Sequence, residues 1–551
     1  MTASTRPMGT PLAGAFCALA FLVVLVFGAL VPVIMFGFVG SGAQAHTVWA
    51  TLTEPYIVRA LRFTLWQAFW STVLSVFVAI PVAIALHEDK TLPGRTWLLR
   101  LFALPLALPQ IVAALALVAL YGSNGLVSDG FEALGLSFPS IYGITGILIA
   151  HVFFNAPMCV RFLLAALDTM PPEYDRLASQ LGMGVAARIR LVYWPTMRRA
   201  LLSAAALVFM LCVTSFTIVL TLGGGPRATT LEVAIYQSLT FDFNVARAVT
   251  LTAMQLALTG CAVWLLSRMG ATVTTGATIN RRRRVAFAGG NTWTKRAASI
   301  AIVLPVAAFV LTPFGVIVVK GLAASPLSVL AKPGPFDAML TSLSLGLAAS
   351  LLTVVLVLAL GTGSAGLMLK RRNMGHPSRL EAMLTEAPAL VLVLPPIVLA
   401  AGWFLALRPI INPYAAGPYL VVAINAAMAL PFAARLLLPA IQAHVSRTQN
   451  LTAQLGVSGW AKLRLIDWPV LRRPALLAGG FAMALSLGDV GVIALFGSRD
   501  LQTLPWLILQ NMGSYRSEDG AALALVLCLM TSTLMLIADR ELTAGRDHND
   551  D

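Results

Sequence analysis

Residues 176–202 read RLASQLGMGVAARIRLVYWPTMRRALL, and residues 450–476 read NLTAQLGVSGWAKLRLIDWPVLRRPAL. At a constant offset of 274 residues, twelve of the 27 aligned positions are identical. They include Gln180/Gln454, Gly182/Gly456, Trp194/Trp468, Pro195/Pro469 and the pairs Arg198-Arg199 and Arg472-Arg473. Apolar helices match one another by composition alone, but a polar stretch holding Gly, Trp, Pro and two Arg in register does not. The same offset pairs Pro157 with Pro431 and Arg161 with Arg435, and a Leu-Pro-x-Ile-Val element recurs at 108–112 and 394–398. The chain is an internal duplication.

The flanks of the repeated stretch say what is duplicated. The 551 residues are 58% hydrophobic and only 11% charged, whereas a soluble domain carries about 25% charged residues. That deficit points to lipid as the surrounding solvent. A bilayer core requires about 20 apolar residues per helix. Twelve stretches qualify, centred near residues 26, 75, 110, 153, 211, 258, 309, 355, 397, 428, 486 and 529. The predicted fold class is an all-α polytopic membrane protein. Its first repeat covers 1–268, a basic linker covers 269–297 and the second repeat covers 298–551. Ala43-Gln44-Ala45 has the form of a signal-peptidase site, but the apolar run of about 13–38 exceeds a signal h-region and reads as a retained first span.

The net charge of +15 would suggest nucleic acid in a soluble chain. Here its distribution argues for orientation instead, and no nucleic-acid partner is expected. With the N-terminus inside, 27 of the 38 Lys and Arg fall in inner segments and nine in outer loops and span edges, while Arg161 and Arg435 sit near inner helix ends. That bias places both termini and Arg281–Arg284 in the cytoplasm. Six spans per half is an even number, so the two repeats are parallel, with a pathway for solute between them. The five cysteines (Cys17, Cys159, Cys212, Cys261, Cys528) lie in apolar runs without a CxxC pair and read as core residues. No cofactor or metal is expected.

On this topology the repeated stretch is a cytoplasmic loop, 168–199 in the first repeat and 441–473 in the second. Leu177, Ala178 and Leu181, like Leu451 and Leu455, recur at the spacing of one helix face, with Thr452 at the position of Ala178. Gly182 and Gly456 fall where a helix C-terminus favours a left-handed residue. Pro195 and Pro469 then allow a fresh helix to start. A short exposed helix with a small apolar face suits docking into a groove on a cytoplasmic partner. The alternative is an interfacial helix lying on the lipid headgroups.

The run from Ala178 through Gly182 to Val192-Tyr-Trp-Pro195, with its twin from Thr452 through Gly456 to Ile466-Asp-Trp-Pro469, resembles the EAA loop of ABC-importer permeases. The leading Glu of that motif is absent, since Arg176 and Asn450 stand there, but the Gly-to-Pro spacing is intact in both copies. The resemblance implies a permease of the bacterial inner membrane. Its expected partners are a separate cytoplasmic ABC ATPase, in two copies, and a periplasmic substrate-binding protein. The chain has no GxxxxGK[ST] phosphate loop of its own, so it is not expected to be an enzyme. The stretch from Leu485 to Ala521 is similar to the permeases for thiamine and thiamine pyrophosphate, which makes thiamine the expected cargo and ferric iron the alternative. An ion-coupled secondary transporter is the rival class, and parallel repeats count against it.

Intramembrane polar residues are the candidates for the pathway. Asp489 is the deepest, with Ser215 at its repeat position, and Asn155 faces an alanine, Ala429, in the second copy. Asp489 reads either as a pathway acid favouring a cation or as a hydrogen-bonding group holding a neighbouring helix.

Overall fold

The computed structural model describes residues 9–35, 54–123, 125–136, 139–223, 225, 227–268, 293–371, 378–391, 394–457, 459–498, 501–514 and 516–543. Most of the basic linker, with Arg281–Arg284, lies outside the described residues, as does Ala43–Ala45. All regular structure among the described residues is helical. The first repeat runs α1 (Gly9–Ile34), α2 (Pro55–Glu88), α3 (Gln110–Tyr121), α4 (Ile144–Asp168), α5 (Pro172–Gln180), α6 (Trp194–Val213), α7 (Thr217–Leu222), α8 (Leu231–Thr240) and α9 (Val245–Arg268). The second runs α10 (Trp293–Ala323), α11 (Pro335–Arg371), α12 (Pro396–Leu407), α13 (Gly417–Gln454), α14 (Trp468–Leu487), α15 (Gly491–Phe496), α16 (Leu504–Gly513) and α17 (Ser517–Thr543).

Eleven helices are long and apolar enough to cross a bilayer, and α12 is a twelfth, shorter apolar helix. The chain is an all-α polytopic membrane protein of about twelve helices. α12 is short because proline marks its start: Pro395 stands at its N-cap and Pro396 in its first turn. Four expected span centres are corrected: residues 110 and 397 fall at the starts of α3 and α12. Residues 211 and 486 lie near the ends of α6 and α14, which stop at Val213 and Leu487. A three-residue break follows each, and then a short helix, α7 or α15. A hydropathy window averages across such a break, because apolar residues continue on both sides of it.

Compact packing cuts across the sequence halves. One unit holds Leu52–Ala234 and Ala257–Ala324; the other holds residues up to Thr51, Ile235–Leu256 and the chain from Ser325 onward. Each half's first helix therefore belongs to the unit built mostly from the other half. In the unit containing α11–α17, α1 packs on α11 and α12 through a stripe of Ala15, Ala18, Leu22, Leu25, Ala29 and Val33, all buried. Trp403 of α12 donates its indole N–H to the Leu25 carbonyl at 2.9 Å. Gly402 sits so close to the Ala29 backbone that a Cβ would have no room. In the other unit α10 packs on α2 and α3, and Phe309 meets Phe153 of α4 with ring centroids 6.2 Å apart.

A line of small polar side chains runs down α2: Thr64, Gln67, Ser71 and Ser75, all fully buried. Each makes at least one hydrogen bond, to a carbonyl, an amide or an imidazole, as an apolar surrounding favours. The Thr64 hydroxyl accepts from the Leu231 amide at 3.0 Å, and Ser342 of α11 accepts from the Leu504 amide at 2.8 Å. These two bonds hook the starts of α8 and α16 to the second helix of their respective repeats.

Candidate functional site

The two repeated loops fold alike. Val185–Arg188, the π-turn Ile189–Tyr193 and α6 recur at the 274-residue offset as Gly459–Lys462, the π-turn Leu463–Asp467 and α14. Gly182 and Gly456 adopt φ of 62° and 64°, the left-handed region anticipated from their place after the docking helix. Met183 N–H donates to the Ala178 carbonyl at 3.0 Å and Gly182 N–H to the Ser179 carbonyl at 3.2 Å, which is a Schellman cap. Val457 N–H repeats the first of these on the Thr452 carbonyl at 3.1 Å.

Two expectations about these loops are corrected. Trp194-Pro195 and Trp468-Pro469 do not begin a fresh helix after a non-helical residue, because Tyr193 and Asp467 before them are already αR. The proline ring cannot sit against an ordinary i−4 carbonyl, and the wider π-turn before it relieves the clash. The apolar face is also divided. Leu177 and Leu181 are exposed while Ala178 is buried, and Leu451 and Leu455 are exposed while Thr452 is buried. The exposed face of α5 is Tyr174, Leu177 and Leu181, at i, i+3 and i+7; Tyr174 was not singled out from sequence.

A second feature escaped sequence reading. Behind α5 lies a polar cluster joining α2, α4, α5 and the π-turn. His87 Nδ1 is 3.2 Å from Asp168 Oδ1, and its Nε2 is 3.5 Å from Asp175 Oδ2. The Tyr193 hydroxyl donates to Glu88 Oε1 at 3.1 Å and lies 3.4 Å from Asp175 Oδ1. Arg188 Nη1 approaches Glu88 Oε1 at 3.7 Å, and the Tyr193 ring, buried, stands edge-on to His87. Burial acts to raise the Asp175 carboxyl, but His87, Lys90 and the Tyr193 hydroxyl together hold it below the usual carboxylate range. In the second loop Asp467 occupies the position of Tyr193. It accepts from Lys462 Nζ at 2.8 and 3.0 Å and pairs with His444 Nε2 at 2.9 Å.

Two of the pathway candidates, Ser215 and Asp489, sit at helix breaks, and Asn155 lies within α4. Ser215, in the break between α6 and α7, is 2.9 Å from His151 Nε2, and His151 Nδ1 is 2.8 Å from Ser71 Oγ. Asn155 donates weakly to Cys212 Sγ at 3.5 Å, while Gln67 donates to the Cys212 carbonyl at 2.7 Å. In the other repeat the equivalent of His151 is Asn425, which donates to Ser486 Oγ at 3.0 Å. Asp489 lies in the break between α14 and α15 and accepts from the Gly491 and Val492 amides at 3.1 and 3.3 Å. It caps a helix N-terminus, where a carboxylate answers both the orphan amides and the helix dipole. A small polar cavity beside it is lined by Ser342, Asn425, Ser486 and Thr503. Among the described residues no group of three or more His, Cys, Asp or Glu is placed to hold a metal ion.

Two loops of matching fold, repeated among about twelve apolar helices, are what an importer permease is expected to have. The comparisons with known proteins agree. Residues 79–274 match the model of the binding-protein-dependent transport system inner membrane component. The thiamine transport system permease protein of Brucella abortus is 48% identical over 547 residues, covering 99% of this chain and 98% of that protein. The thiamine transport system permease protein of Escherichia coli is 39% identical over 492 residues, covering 89% and 90%. A sulfate transport system permease protein of Salmonella typhimurium is 30% identical over 205 residues, 36% of this chain. The chain belongs to the binding-protein-dependent transport system inner membrane component family, and it is a multi-pass inner-membrane protein.

Proposed function

We propose that this chain is the permease through which thiamine or its phosphate esters enter the cytoplasm. The observation that carries the reading is the 48% identity over 99% of the chain to a thiamine transport permease, with both docking segments intact. A separate ATPase, one copy per loop, docks on 168–199 and 441–473 through Leu177 and Leu181 and through Leu451 and Leu455. Ala178 and Thr452 pack inward, Gly182 and Gly456 set the exit angle, and Pro195 and Pro469 hold the π-turns. A periplasmic binding protein delivers the solute from the other side. Repeats 1–268 and 298–551 each supply one wall, joined by the linker 269–297, with both termini in the cytoplasm.

Ser215 and Asp489 shape the walls at the helix breaks, Asp489 by capping α15, and Asn155 does so from within α4. Deleting the gene and following labelled thiamine and iron side by side tests the cargo: thiamine uptake should vanish with iron uptake intact. Loss of iron uptake with thiamine untouched would overturn it. Reporter fusions at about residues 285 and 548 should report cytoplasm, and one at about residue 230 the periplasm.

A further inference from the structure

The two docking helices are attached to the membrane core in different ways. In the second repeat α13 runs unbroken from Gly417 to Gln454, so the docking residues Leu451 and Thr452 ride on the last turns of a membrane-spanning helix. In the first repeat α4 ends at Asp168 and α5 begins at Pro172, and Pro171 between them is extended (φ −58°, ψ 132°). Proline supplies no amide hydrogen and keeps the residue before it out of the α region, so the rod is interrupted. At the equivalent of Pro171 and Pro172 the second repeat has Val445 and Ser446, which impose no such break. An interrupted helix is a hinge, and force applied to α5 reaches the core only through whatever else ties α5 down.

The tie is present. Asp175, in the middle of α5, faces both His87 and Tyr193. His87 also holds Asp168 at the end of α4, and Tyr193 also holds Glu88 at the end of α2. We propose that His87, Glu88, Asp175 and Tyr193 are positioning residues for energy coupling. They form a latch that gives the first docking helix the rigid connection the second obtains from an uninterrupted helix. The inference rests on the docking role of the two loops. Asp467, at the position of Tyr193, pairs with His444 of α13 itself and with nearby Lys462, so its loss leaves the rod of the second repeat in place.

The experiment uses the complete importer in membranes, with thiamine transport, ATP turnover and co-purified ATPase measured separately. Tyr193→Phe keeps the buried ring and removes only the hydroxyl. It should leave ATPase co-purification unchanged and lower thiamine moved per ATP by about tenfold, the effect of one hydrogen bond to a charged group. Asp467→Asn should lower the same ratio by less than about twofold, since Asn still bonds His444. Adding Pro171→Ala and Pro172→Ala to Tyr193→Phe restores amide donors across the junction and should recover most of the ratio. A Tyr193→Phe importer with an unchanged ratio overturns the latch, and so does an Asp467→Asn importer as uncoupled as Tyr193→Phe. A separate variant, Leu181→Asp, tests docking alone: undiminished ATPase co-purification there would remove the docking role, whatever Tyr193→Phe does.

Discussion

The first and second coupling segments share a Schellman cap, a π-turn and a Trp-Pro entry into the following span, yet one hangs from a proline-broken junction and the other extends a continuous helix. What is common to both is the surface a partner sees: exposed leucines at matched positions, ending in a left-handed glycine. What differs lies behind that surface, where Tyr193 has been replaced by Asp467 and Met170 by His444. The two copies keep the same exposed face and differ in what supports it. A two-fold partner needs matched faces; it places no such demand on the way each is braced.

The largest expected effect strikes both segments equally. Nothing lies within 4 Å of the place a Cβ would take at Gly182 or Gly456, so a side chain there meets only the conformational penalty. For a β-branched residue at positive φ that penalty exceeds about 1 kcal/mol, and the exit from the docking helix would re-form elsewhere. Gly182→Val and Gly456→Val should each insert normally in the membrane but lose ATPase co-purification and nearly all transport. If Gly456→Val co-purifies with a fully stimulated ATPase, the matched-face account fails.

Next comes the exposed face itself. Leu181 and Leu455 are exposed, so Leu181→Asp and Leu455→Asp should change permease stability by no more than about 0.5 kcal/mol. Either should weaken ATPase association measurably, and by similar factors, in a pull-down titration. A loss confined to one loop would break the equivalence.

Much of this was legible from residues alone. The 274-residue offset, the class of fold and the left-handed glycines follow from pattern and from backbone chemistry. The breaks after Val213 and Leu487 did not show, since apolar residues on both sides hide a three-residue interruption that no proline marks. The divided apolar face was missed because helical spacing groups Leu177, Ala178 and Leu181 without saying which side the protein covers. The latch was missed because His87 and Tyr193 are distant in sequence and neither is among the residues identical between the two copies. The buried polar line of Thr64, Gln67, Ser71 and Ser75 was not singled out either, although its spacing is a helical period inside an apolar span. Nor was the packing of α1 with the second repeat, because an apolar stripe does not name its partner.

The helix breaks sharpen the comparison with smaller effects. Ser215→Ala removes a partner of His151 inside the membrane, which leaves a buried ring nitrogen unpaired at a cost of about 1–3 kcal/mol. Thermal unfolding in detergent should show the loss. Asp489→Asn should change stability by less than about 0.5 kcal/mol and leave thiamine uptake near normal, because Asn caps a helix about as well as Asp. A large fall in uptake with stability unchanged would make the Asp489 charge part of the pathway.

The central claim is import powered by an ATPase bound to this chain from outside it. Proteoliposomes carrying the purified permease, its ATPase on the docking side and the binding protein on the opposite side would measure accumulation of labelled thiamine directly. Accumulation is predicted only when ATP and the ATPase are both present, and it should be indifferent to imposed proton or sodium gradients. Accumulation without the ATPase, or driven by an ion gradient alone, would contradict the account.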